Sequence, residues 1–516
     1  MSEIKQALYE KFGFDVPKIS PSEQLKAAML WYPNKRFYER ASSKSGKKII
    51  SVYSENAVCP VYSHDEWYAE NWSSPFIDYD PSLPFFDQFR KLQKIAPVVS
   101  LLSSLQENAE YCQDSEGLKN CYLVFDSLNC KDVYYSTRIY NSNNCTDCYW
   151  VMDGELLYDS VYMFNSYNCR YNFNCQKVAD SAFLFNCRNT QNSFMSSNLR
   201  NKQYYVYNKQ CTKEKYEEFL ETVDFSNYAK ILELKKYFRE ELVAKTPIPP
   251  GFFENCENVT GNYLKNSANV ELVFESYEMK DSFDSFQCAK AVDVVGSFMC
   301  NDRVERCFQC VATGIESYET KNCVFVWHGS FMEYCYLCLN CNNCFGCIGL
   351  RNKQYHIFNK PYSKDEYAIK VRQIIQDMRN RGEYGQFFPA GLSPFNYEDT
   401  IAYDFFENRK TGAFMAEYEK RLGQAGEIVE SAIQTCPVSG KKFKYIPQEL
   451  QFYKKHGIPL PTVASPVRYR QRMELMDTGF ENKEVRTVRG EILQTTFAHP
   501  ENKIIVSRAE YEKALI

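Results

Sequence analysis

The stretch that decides the fold spans residues 120–136 and reads NCYLVFDSLNCKDVYYS. It alternates small residues with aromatic and β-branched ones, and each short run is closed by Asn, Asp or Ser. Similar runs, such as TDCYWVMD, YDSVYMFN and ADSAFLFN, start roughly every 10–15 residues. Such alternation is typical of half-buried strands, and Asn and Asp favour turns. The spacing predicts a β-solenoid whose coils stack on one another, with a β-sandwich as the alternative.

The same stretch has a counterpart at 269–285, which reads NVELVFESYEMKDSFDS and starts 149 residues later (269 against 120). Farther on, LRNKQYYVYNK at 199–209 recurs as LRNKQYHIFNK at 350–360, an offset of 151 residues (350 against 199). Two matches at nearly the same offset predict an internal duplication. The predicted fold is therefore mainly β, with two duplicated solenoid blocks and helical caps.

A helix is predicted after each block. Ser363 and Glu366 form a capping box after the second block, and Thr212 takes the matching position after the first. We expect these helices to cover open ends of the strand stacks, where backbone groups would otherwise be unpaired. Arg200 and Arg351, in the repeated LRNKQY, are predicted to pin the last coil of each block to its capping helix.

The cysteines pose the main chemical question. Twenty of the 22 lie between Cys112 and Cys347, and Cys335, Cys338, Cys341, Cys344 and Cys347 recur at every third residue. Thiolates at such spacing could hold an iron–sulfur cluster or a zinc ion. The 151-residue offset aligns them with Leu184, Cys187, Thr190, Ser193 and Ser196, and hydroxyls do not hold such clusters. We therefore interpret these thiols, and the pairs Cys145/Cys148 and Cys307/Cys310, as small packing residues. Metal binding by the second block alone remains the alternative.

Composition and motifs exclude several classes of function. The net charge of −4 and pI near 6 give no overall attraction to nucleic acid or to anionic membranes. No signal peptide or membrane-spanning run is recognisable, so a reducing cytoplasm with free thiols is expected. P-loop, Rossmann and zinc-protease motifs are absent from the sequence. The pair Cys323 and His328 is a weak catalytic candidate, and Asp153, Asp159 and Asp180 are expected to close turns rather than act on glycans.

Two segments outside the blocks resemble each other. Both contain Ser-Gly-Lys-Lys, at 45–48 and at 439–442, where a zinc-ribbon knuckle would carry Cys-Gly-Lys. Further marks are IISVYS (49–54), PFFDQF (84–89), FFPAGLSPF (387–395) and ELQFYKKHGIPLP (449–461). Together with LRNKQY, they resemble a family of large uncharacterised cysteine-rich repeat proteins from candidate-phyla bacteria, some of which carry a CaiB/BaiF label.

In that family the flanking segments look like zinc ribbons, each with two Cys-x-x-Cys knuckles. This sequence departs from the pattern at the ligand positions, which hold Ser42, Ser45, Ser63 and Glu66 near the N-terminus. Near the C-terminus they hold Cys436, Ser439, Ser465 and Arg468. A structural zinc ion needs four Cys or His ligands, so we predict ribbon-like modules without zinc, held together by aromatic packing.

The most suggestive chemistry is a basic, aromatic stretch at 440–473, with a second basic stretch at 35–48. Basic groups attract phosphates and flat rings stack on unpaired bases, so this mixture suits single-stranded nucleic acid. A solvated basic face, or a dock for acidic segments of the same chain, is the alternative. The candidate residues are Lys441, Lys442, Lys444, Lys454, Lys455, Arg468, Arg470, Arg472, Phe443 and Tyr445.

The predicted organisation has six parts. They are an N-terminal ribbon-like module with a helix (1–105), the first solenoid block (106–211), capping helices with a linker (212–250), the second block (251–362), a helical segment (363–435) and a basic ribbon-like module (436–516). We expect a non-enzymatic cytoplasmic scaffold or binding protein that needs no cofactor and has no membrane partner. An RNA- or DNA-binding protein is the first alternative, and a glycan-acting solenoid enzyme is the second.

Overall fold

The architecture comes from a computed structural model that describes residues 19–280, 330–407, 433–487 and 489–516, with isolated positions in 6–14 and 283–324. The described part is mainly β, and a coil of four short sides is repeated along the chain. The β-solenoid prediction is confirmed, and the sandwich alternative is wrong because the strands of each stack pair in parallel with the next coil.

The coil repeats every 12 residues and turns at every third one. Positive φ angles recur at each third residue from Leu105 to Tyr207, and neighbouring coils pair at an offset of 12, as in Tyr149 with Val161. A left-handed conformation costs a non-glycine residue about 1 kcal/mol, and Asn and Asp tolerate it best. This explains the Asn and Asp residues that close the runs. The predicted two-residue alternation is wrong, because the backbone turns after three residues.

Strands of the first stack (residues 103–206) form two parallel ladders that merge in one long strand. The strands are Ser103–Ser104, Gln113–Glu116, Phe125–Leu128, Lys131–Tyr134, Thr137–Tyr140, Asn143–Thr146, Tyr149–Met152, Glu155–Tyr158, Val161–Phe164, Tyr167–Arg170, Phe173–Phe185, Arg188–Ser197 and Arg200–Val206. A short antiparallel strand, Lys209–Gln210, folds back on the last of them.

The described strands of the second stack (residues 253–357) also pair in parallel. They are Phe253–Glu254, Glu257–Lys265, Ala268–Tyr277, Cys307–Phe308, Thr320–Lys321, Ser330–Glu333, Asn342–Phe345 and Gln354–Ile357. An antiparallel strand, Lys360–Pro361, ends this stack as well. The register shifts between Val259 and Gly261. A side chain on Gly261 would meet the backbone of Val273, so only glycine fits there.

Helices follow each stack, as predicted. After the first come Lys213–Glu221, Tyr228–Tyr237 and a π-helical turn at Phe238–Val243, and after the second comes Lys364–Asn380. The capping box is confirmed, because Ser363 and Glu366 exchange backbone-to-side-chain hydrogen bonds of 3.0 and 3.3 Å. Short helical turns lie at Ala390–Leu392, Tyr397–Asp399 and Tyr403–Glu407.

Segments from both chain ends pack on the two stacks. The N-terminal segment has helices Pro21–Met29, His64–Tyr68 and Phe85–Gln93 and strands Tyr38–Ala41, Lys48–Ser51, Val61–Tyr62 and Val98–Val99. The C-terminal segment has helices Pro447–Lys455, Ser465–Met476 and Arg508–Lys513, strands Gln434–Thr435, Lys442–Phe443, Thr478–Arg486, Ile492–Phe497 and Ile504–Ile505, and a turn at Pro500–Asn502. Phe85 packs on Tyr334 of the second stack, whereas Tyr453 packs on Tyr158 of the first. Every helix in the described ranges is too short or too polar to cross a bilayer.

Side chains at the four inner slots of each coil fill the stack interior. Asn ladders run along the outer corners: Asn108 donates to Asn120 at 3.0 Å and Asn120 to Asp132 at 3.2 Å. Aromatic rings also stack between coils, with Tyr171 and Phe183 4.6 Å apart. Each stack is thus stabilised by contacts between residues close in sequence.

Candidate functional site

A cleft of about 640 Å³ opens where the first stack meets both terminal segments. Its floor is the outer surface of the first stack at 122–135. One wall is the segment 34–36, and the other is formed by the hairpin region 438–445 and the helix region 464–474. We call it the basic cleft. It joins the two basic stretches, 35–48 and 440–473, which are far apart in the sequence.

Seven of the ten residues predicted to contact nucleic acid line the basic cleft. They are Lys441, Lys442, Phe443, Lys444, Tyr445, Arg468 and Arg470. Lys35 and Arg36 from the other basic stretch join them. The structure therefore brings together a group that the sequence could only place on two separate segments.

A tight hairpin presents the three lysines. The backbone N–H of Cys436 donates to the carbonyl of Lys441 at 2.8 Å, and Gly440 turns the chain with a φ of 67°. Lys441, Lys442 and Lys444 remain exposed, while the half-buried Phe443 ring lies 5.6 Å from that of Tyr445. Charged groups thus lie at the surface, with rings between and beneath them.

The aromatic floor was not found from the sequence. Tyr122 and Tyr135 lie half-buried on neighbouring coils with ring centres 5.7 Å apart, and Phe125 lies beside them. Their positions were visible in the repeat, but the face of the stack that meets the basic hairpin is fixed only by packing. These rings give the cleft an aromatic surface, and bases stack on the faces of such rings.

Two of the predicted arginines are buried anchors, and their assignment to an exposed basic face is corrected. Nε of Arg468 donates to Asp147 at 2.8 Å, and Arg472 bridges Asp147 and Asp159 at 3.0 and 3.3 Å. The side chains of Arg468 and Arg472 are 7% and 2% exposed. Buried charges of opposite sign have paired here, since an unpaired buried charge is strongly unfavourable. Arg472 does not line the cleft, whereas Arg468 does.

The remaining candidates have different surroundings. Lys454 and Lys455 are exposed at the end of helix Pro447–Lys455, outside the cleft lining. Nε of Arg470 lies 3.9 Å from Glu474 on the same helix. Asp153, Asp159 and Asp180 all occupy positive-φ corners, as expected of turn residues. Asp159 also accepts a hydrogen bond from Lys235 at 2.6 Å.

Lys35 is a base of the cleft whose pKa is strongly lowered. Its Nζ lies 3.5 Å from the centre of the Tyr469 ring and 5.6 Å from that of Phe125. Burial against these rings lowers the pKa of Lys35 to about 7, although Asp404 opposes the shift. Near neutral pH this amine is therefore protonated in part of the molecules and neutral in the rest.

Two carboxyl groups of the lining are shifted in the opposite direction. Burial raises the pKa of Glu449 to about 7, opposed by Arg468, and raises the pKa of Glu474 to about 7, opposed by Arg470. Both groups lose negative charge below neutral pH. Together with Lys35, they make the charge of the basic cleft depend on pH.

The thiols fill inner slots of the stacks. Cys335, Cys338, Cys341, Cys344 and Cys347 are each at most 1% exposed, as are their counterparts Leu184, Cys187, Thr190, Ser193 and Ser196. Burial and neighbouring thiols raise the pKa of Cys335, and burial raises the pKa of Cys130 to about 11. In the part of the chain that the structure describes, no group of three Cys, His, Asp or Glu residues is arranged to hold a metal ion.

Hydroxyls and thiols make the same hydrogen bonds at these slots. Ser196 donates to the carbonyl two residues earlier at 2.9 Å and accepts the N–H of Asn208 at 2.9 Å. Cys347 donates to the carbonyl two residues earlier at 3.5 Å and accepts the N–H of Asn359 at 3.4 Å. The thiol thus serves as a larger hydroxyl, which supports the packing interpretation. The duplication itself stays a prediction.

The predicted knuckle positions near the N-terminus do converge. The carboxylate of Glu66 accepts hydrogen bonds from the hydroxyl of Ser42 and from the backbone of Ser63, at 3.0 Å for the latter. Partial burial raises the pKa of Glu66, but hydrogen bonds from Ser42, Ser45 and Ser63 outweigh burial and lower it to about 2. A carboxylate therefore occupies the centre of this knuckle. The prediction that aromatic packing alone holds the module together did not include it.

The hairpin turns of the two terminal modules share their backbone pattern. Ser42 N–H donates to Lys47 at 2.8 Å, as Cys436 N–H does to Lys441. Gly46 N–H donates to Ser42 at 2.9 Å, as Gly440 N–H does to Cys436 at 2.8 Å. The likeness of both modules to zinc ribbons stays a prediction.

The repeated arginines contact the terminal segments, so their predicted role is corrected. Arg200 donates to the Tyr511 hydroxyl at 2.8 Å, on the last helix of the chain. Arg351 donates to the Tyr68 carbonyl at 2.8 Å and stacks 4.9 Å from the Trp67 ring. They hold the chain ends against the stacks instead of the capping helices.

Neither a scan against protein-family models nor a search of curated proteins returns a match to this chain. The resemblance to the cysteine-rich repeat family therefore stays a prediction. Cys310, Cys323 and His328, and the helical segment at 408–432, lie outside the described residues.

Proposed function

We propose that this protein is a non-enzymatic binding protein in which the solenoid stacks form a rigid scaffold and the basic cleft binds single-stranded RNA or DNA. The observation that carries the proposal is the convergence of two remote basic stretches on one aromatic floor. Exposed lysines would contact phosphates, and half-buried rings would stack on unpaired bases.

The scaffold part rests on the regularity of the stacks. Interior hydroxyls and thiols bond to their own coil and to the next, so each coil fixes its neighbour. Repeat stacks of this kind offer rigid surfaces for macromolecular partners. The free thiols of the described residues favour a reducing compartment, which is why we place the protein in the cytoplasm.

Charge supports the nucleic-acid part. The described lining of the basic cleft holds seven Lys or Arg side chains against the acidic Asp404, Glu449 and Glu474. The whole chain is weakly acidic, with a net charge of −4, so this local excess of positive charge is a specific feature rather than a property of the whole surface.

The test is fluorescence anisotropy with a labelled single-stranded oligonucleotide of about 12 residues, over a series of salt concentrations. Reversing three charges in K441E/K442E/K444E should weaken binding about 100-fold and reduce the salt dependence, because phosphate contacts are lost. The matched control is K209E/K213E/K215E, three exposed lysines on and before the helix that follows the first stack.

The control variant should bind within about twofold of the natural protein, since electrostatic attraction falls off within about 10 Å. Absence of binding by the natural protein at low salt would overturn the proposal. An equal loss of affinity in both triple variants would also overturn it, because attraction would then come from overall charge.

A further inference from the structure

Arg468 has a hydrogen-bonding capacity that the folded chain does not use. Its Nε bonds to Asp147 and its Nη1 donates to the Val463 carbonyl at 2.8 Å, while its guanidinium lies 4.9 Å from the Tyr135 ring centre. The third nitrogen, Nη2, is buried and has no hydrogen-bond partner among the described residues. Buried arginine nitrogens are normally bonded, so this donor of a cleft-lining side chain is available to an acceptor that a ligand supplies.

The surrounding charge favours an anionic acceptor. Asp147 is shared between Arg468 and Arg472, and Asp159 between Arg472 and Lys235. Three cations thus face two anions along this seam. Glu449 is the nearby acid of the cleft lining, and its burial disfavours the charged form. A bound anion would complete the charge balance that the protein leaves open.

The position of Arg468 limits which anion can reach it. Its side chain is only 7% exposed, so a phosphodiester with nucleotides on both sides would have to bury two further nucleotides to approach it. A phosphate at the end of a ligand can enter alone. A cleft of about 640 Å³ is of the size that holds a small ligand or the end of a strand.

We infer that the basic cleft recognises a nucleoside carrying a phosphate monoester, either as a free nucleotide or as the phosphorylated end of a single strand. The phosphate would bond to Arg468 Nη2 with Lys441 or Lys444 beside it, and the base would lie against Tyr122. This inference rests on the proposed function, because it names the part of the nucleic acid that the same cleft holds.

Tyr122 suits the role of base platform. It is half-buried on the outer face of a coil, and it contacts Tyr111 and Tyr135 edge to face at 5.5 and 5.7 Å. These contacts hold its orientation while one side stays partly open. Base stacking on such a ring is worth about 1–3 kcal/mol by alanine substitution and depends little on the sequence.

The experiment compares ligands that differ only in the phosphate. Calorimetry with AMP, adenosine and inorganic phosphate tests the free nucleotide. Anisotropy with an oligonucleotide of about 12 residues, phosphorylated at the 5′ end, at the 3′ end or at neither, tests the strand end. We expect AMP to bind at least about tenfold tighter than adenosine, or an end-phosphorylated strand to bind about tenfold tighter than the unphosphorylated one.

Variants locate the effect. In Arg468→Lys the preference for the phosphate should fall to about twofold, because lysine cannot bond Asp147 and a phosphate as arginine does. Arg351→Lys, at a half-buried arginine of the second stack that contacts Tyr68 and Trp67, should keep the preference. Tyr122→Ala should weaken the binding of AMP and of the oligonucleotide alike. Tyr122→Phe should leave both affinities unchanged, because the ring is needed only for stacking. Circular dichroism and thermal unfolding confirm that each variant is folded.

The outcomes separate this inference from the proposed function. Oligonucleotide binding without any preference for a phosphate monoester, or a preference that survives in Arg468→Lys, overturns the inference and leaves the proposed function standing. Tight binding of AMP with no binding of oligonucleotides supports the inference for the free nucleotide and overturns the proposed function.

Discussion

The two halves of the molecule share an architecture but differ in how a chain end docks on the stack. The C-terminal segment meets the first stack through rings and also through buried ion pairs, with Arg468 and Arg472 on Asp147 and Asp159. The N-terminal segment meets the second stack through rings, where Phe85 packs on Tyr334, Phe345 and Phe358 at 5.1–5.5 Å.

The difference teaches where a binding site can form. At the second stack the ring contacts are close, and Phe85 is fully buried among them. At the first stack the buried ion pairs border the basic cleft, because Arg468 belongs both to these pairs and to the cleft lining. The half of the molecule that docks through charges is therefore the half that we expect to bind a ligand.

The largest effect should follow from breaking the ion pairs of the first half. Asp147→Asn removes the charge that two buried arginines share and should lower the free energy of unfolding by about 3–5 kcal/mol. Because the same contact positions the cleft, oligonucleotide binding should weaken too. Urea unfolding measures the first effect and anisotropy the second.

Phe85→Ala provides the contrast in the other half. Loss of this fully buried ring should also lower the free energy of unfolding by about 3–5 kcal/mol. The folded variant should nevertheless bind oligonucleotide within about twofold of the natural protein. If it loses binding as Asp147→Asn does, the assignment of ligand binding to the first half is wrong.

The next effect concerns pH. Lys35 has a pKa lowered to about 7, so it is charged below neutral pH, while Glu449 and Glu474, with pKa values raised to about 7, are neutral there. All three changes make the cleft more positive on acidification. The charged groups that face these three side chains include Arg468, Arg470 and Asp404. Oligonucleotide affinity should therefore rise about tenfold from about pH 8 to about pH 6.

Replacing both acids checks that explanation. The double variant Glu449→Gln/Glu474→Gln keeps hydrogen-bonding capacity but cannot titrate, so most of the pH dependence should disappear. An affinity that falls on acidification would contradict the charge assignment. Binding is followed by anisotropy at constant ionic strength, because salt alone changes affinity.

A smaller effect is expected at the N-terminal knuckle. Glu66→Gln should lower the free energy of unfolding by about 1 kcal/mol near neutral pH, since charge-assisted hydrogen bonds from serines are weakened at a partly exposed site. The folded pKa of about 2 lies below that of the unfolded chain. The stabilisation is therefore present above about pH 5 and lost as the pH falls towards 2.

Urea unfolding over this pH range measures the effect. The natural protein should lose more stability on acidification than Glu66→Gln, in which the group cannot titrate. Ser45→Ala is a milder companion variant that removes one hydrogen bond and keeps the carboxylate. Identical pH profiles for the natural protein and Glu66→Gln would show that Glu66 is not stabilised by this cluster.

The smallest effect sharpens the comparison of the two interiors. The triple variant Cys341→Thr/Cys344→Ser/Cys347→Ser gives the second stack the hydroxyls of the first, and each change should alter stability by less than about 1 kcal/mol because the hydrogen bonds persist. Elemental analysis of the natural protein should find no stoichiometric zinc or iron. Stoichiometric metal that is lost in the triple variant would refute the packing role of these thiols.

Much of the fold could be predicted from the sequence, and one signal could have sharpened it. Asn and Asp residues at 108, 120, 129, 132, 141 and 144 all fall on multiples of three, which is the spacing of the positive-φ corners. With this spacing, the prediction would have been a turn at every third residue and a coil of 12 residues, instead of a two-residue alternation. The pattern is local, so it is readable without tertiary information.

The candidate site was only half predictable for the opposite reason. Lys441 and Arg472 are both cations in one basic stretch, yet the first is exposed at the cleft and the second is buried on Asp159. Which cation meets an acid depends on residues about 300 positions away in the chain. The sequence does not show which of these distant residues meet in the folded protein.

The sequence by itself determined the solenoid, the Asn-lined corners, the capping box at Ser363 and the small side chains of the interior. Each of these depends on contacts within one coil or between neighbouring coils, about 12 residues apart. Local residue types determine local backbone conformation, so these features can be read from the sequence. Only the tertiary structure decided that both chain ends pack on the stacks and that their basic residues share one cleft with Tyr122 and Tyr135. Those contacts join distant segments, whose meeting is set by the packing of the whole molecule.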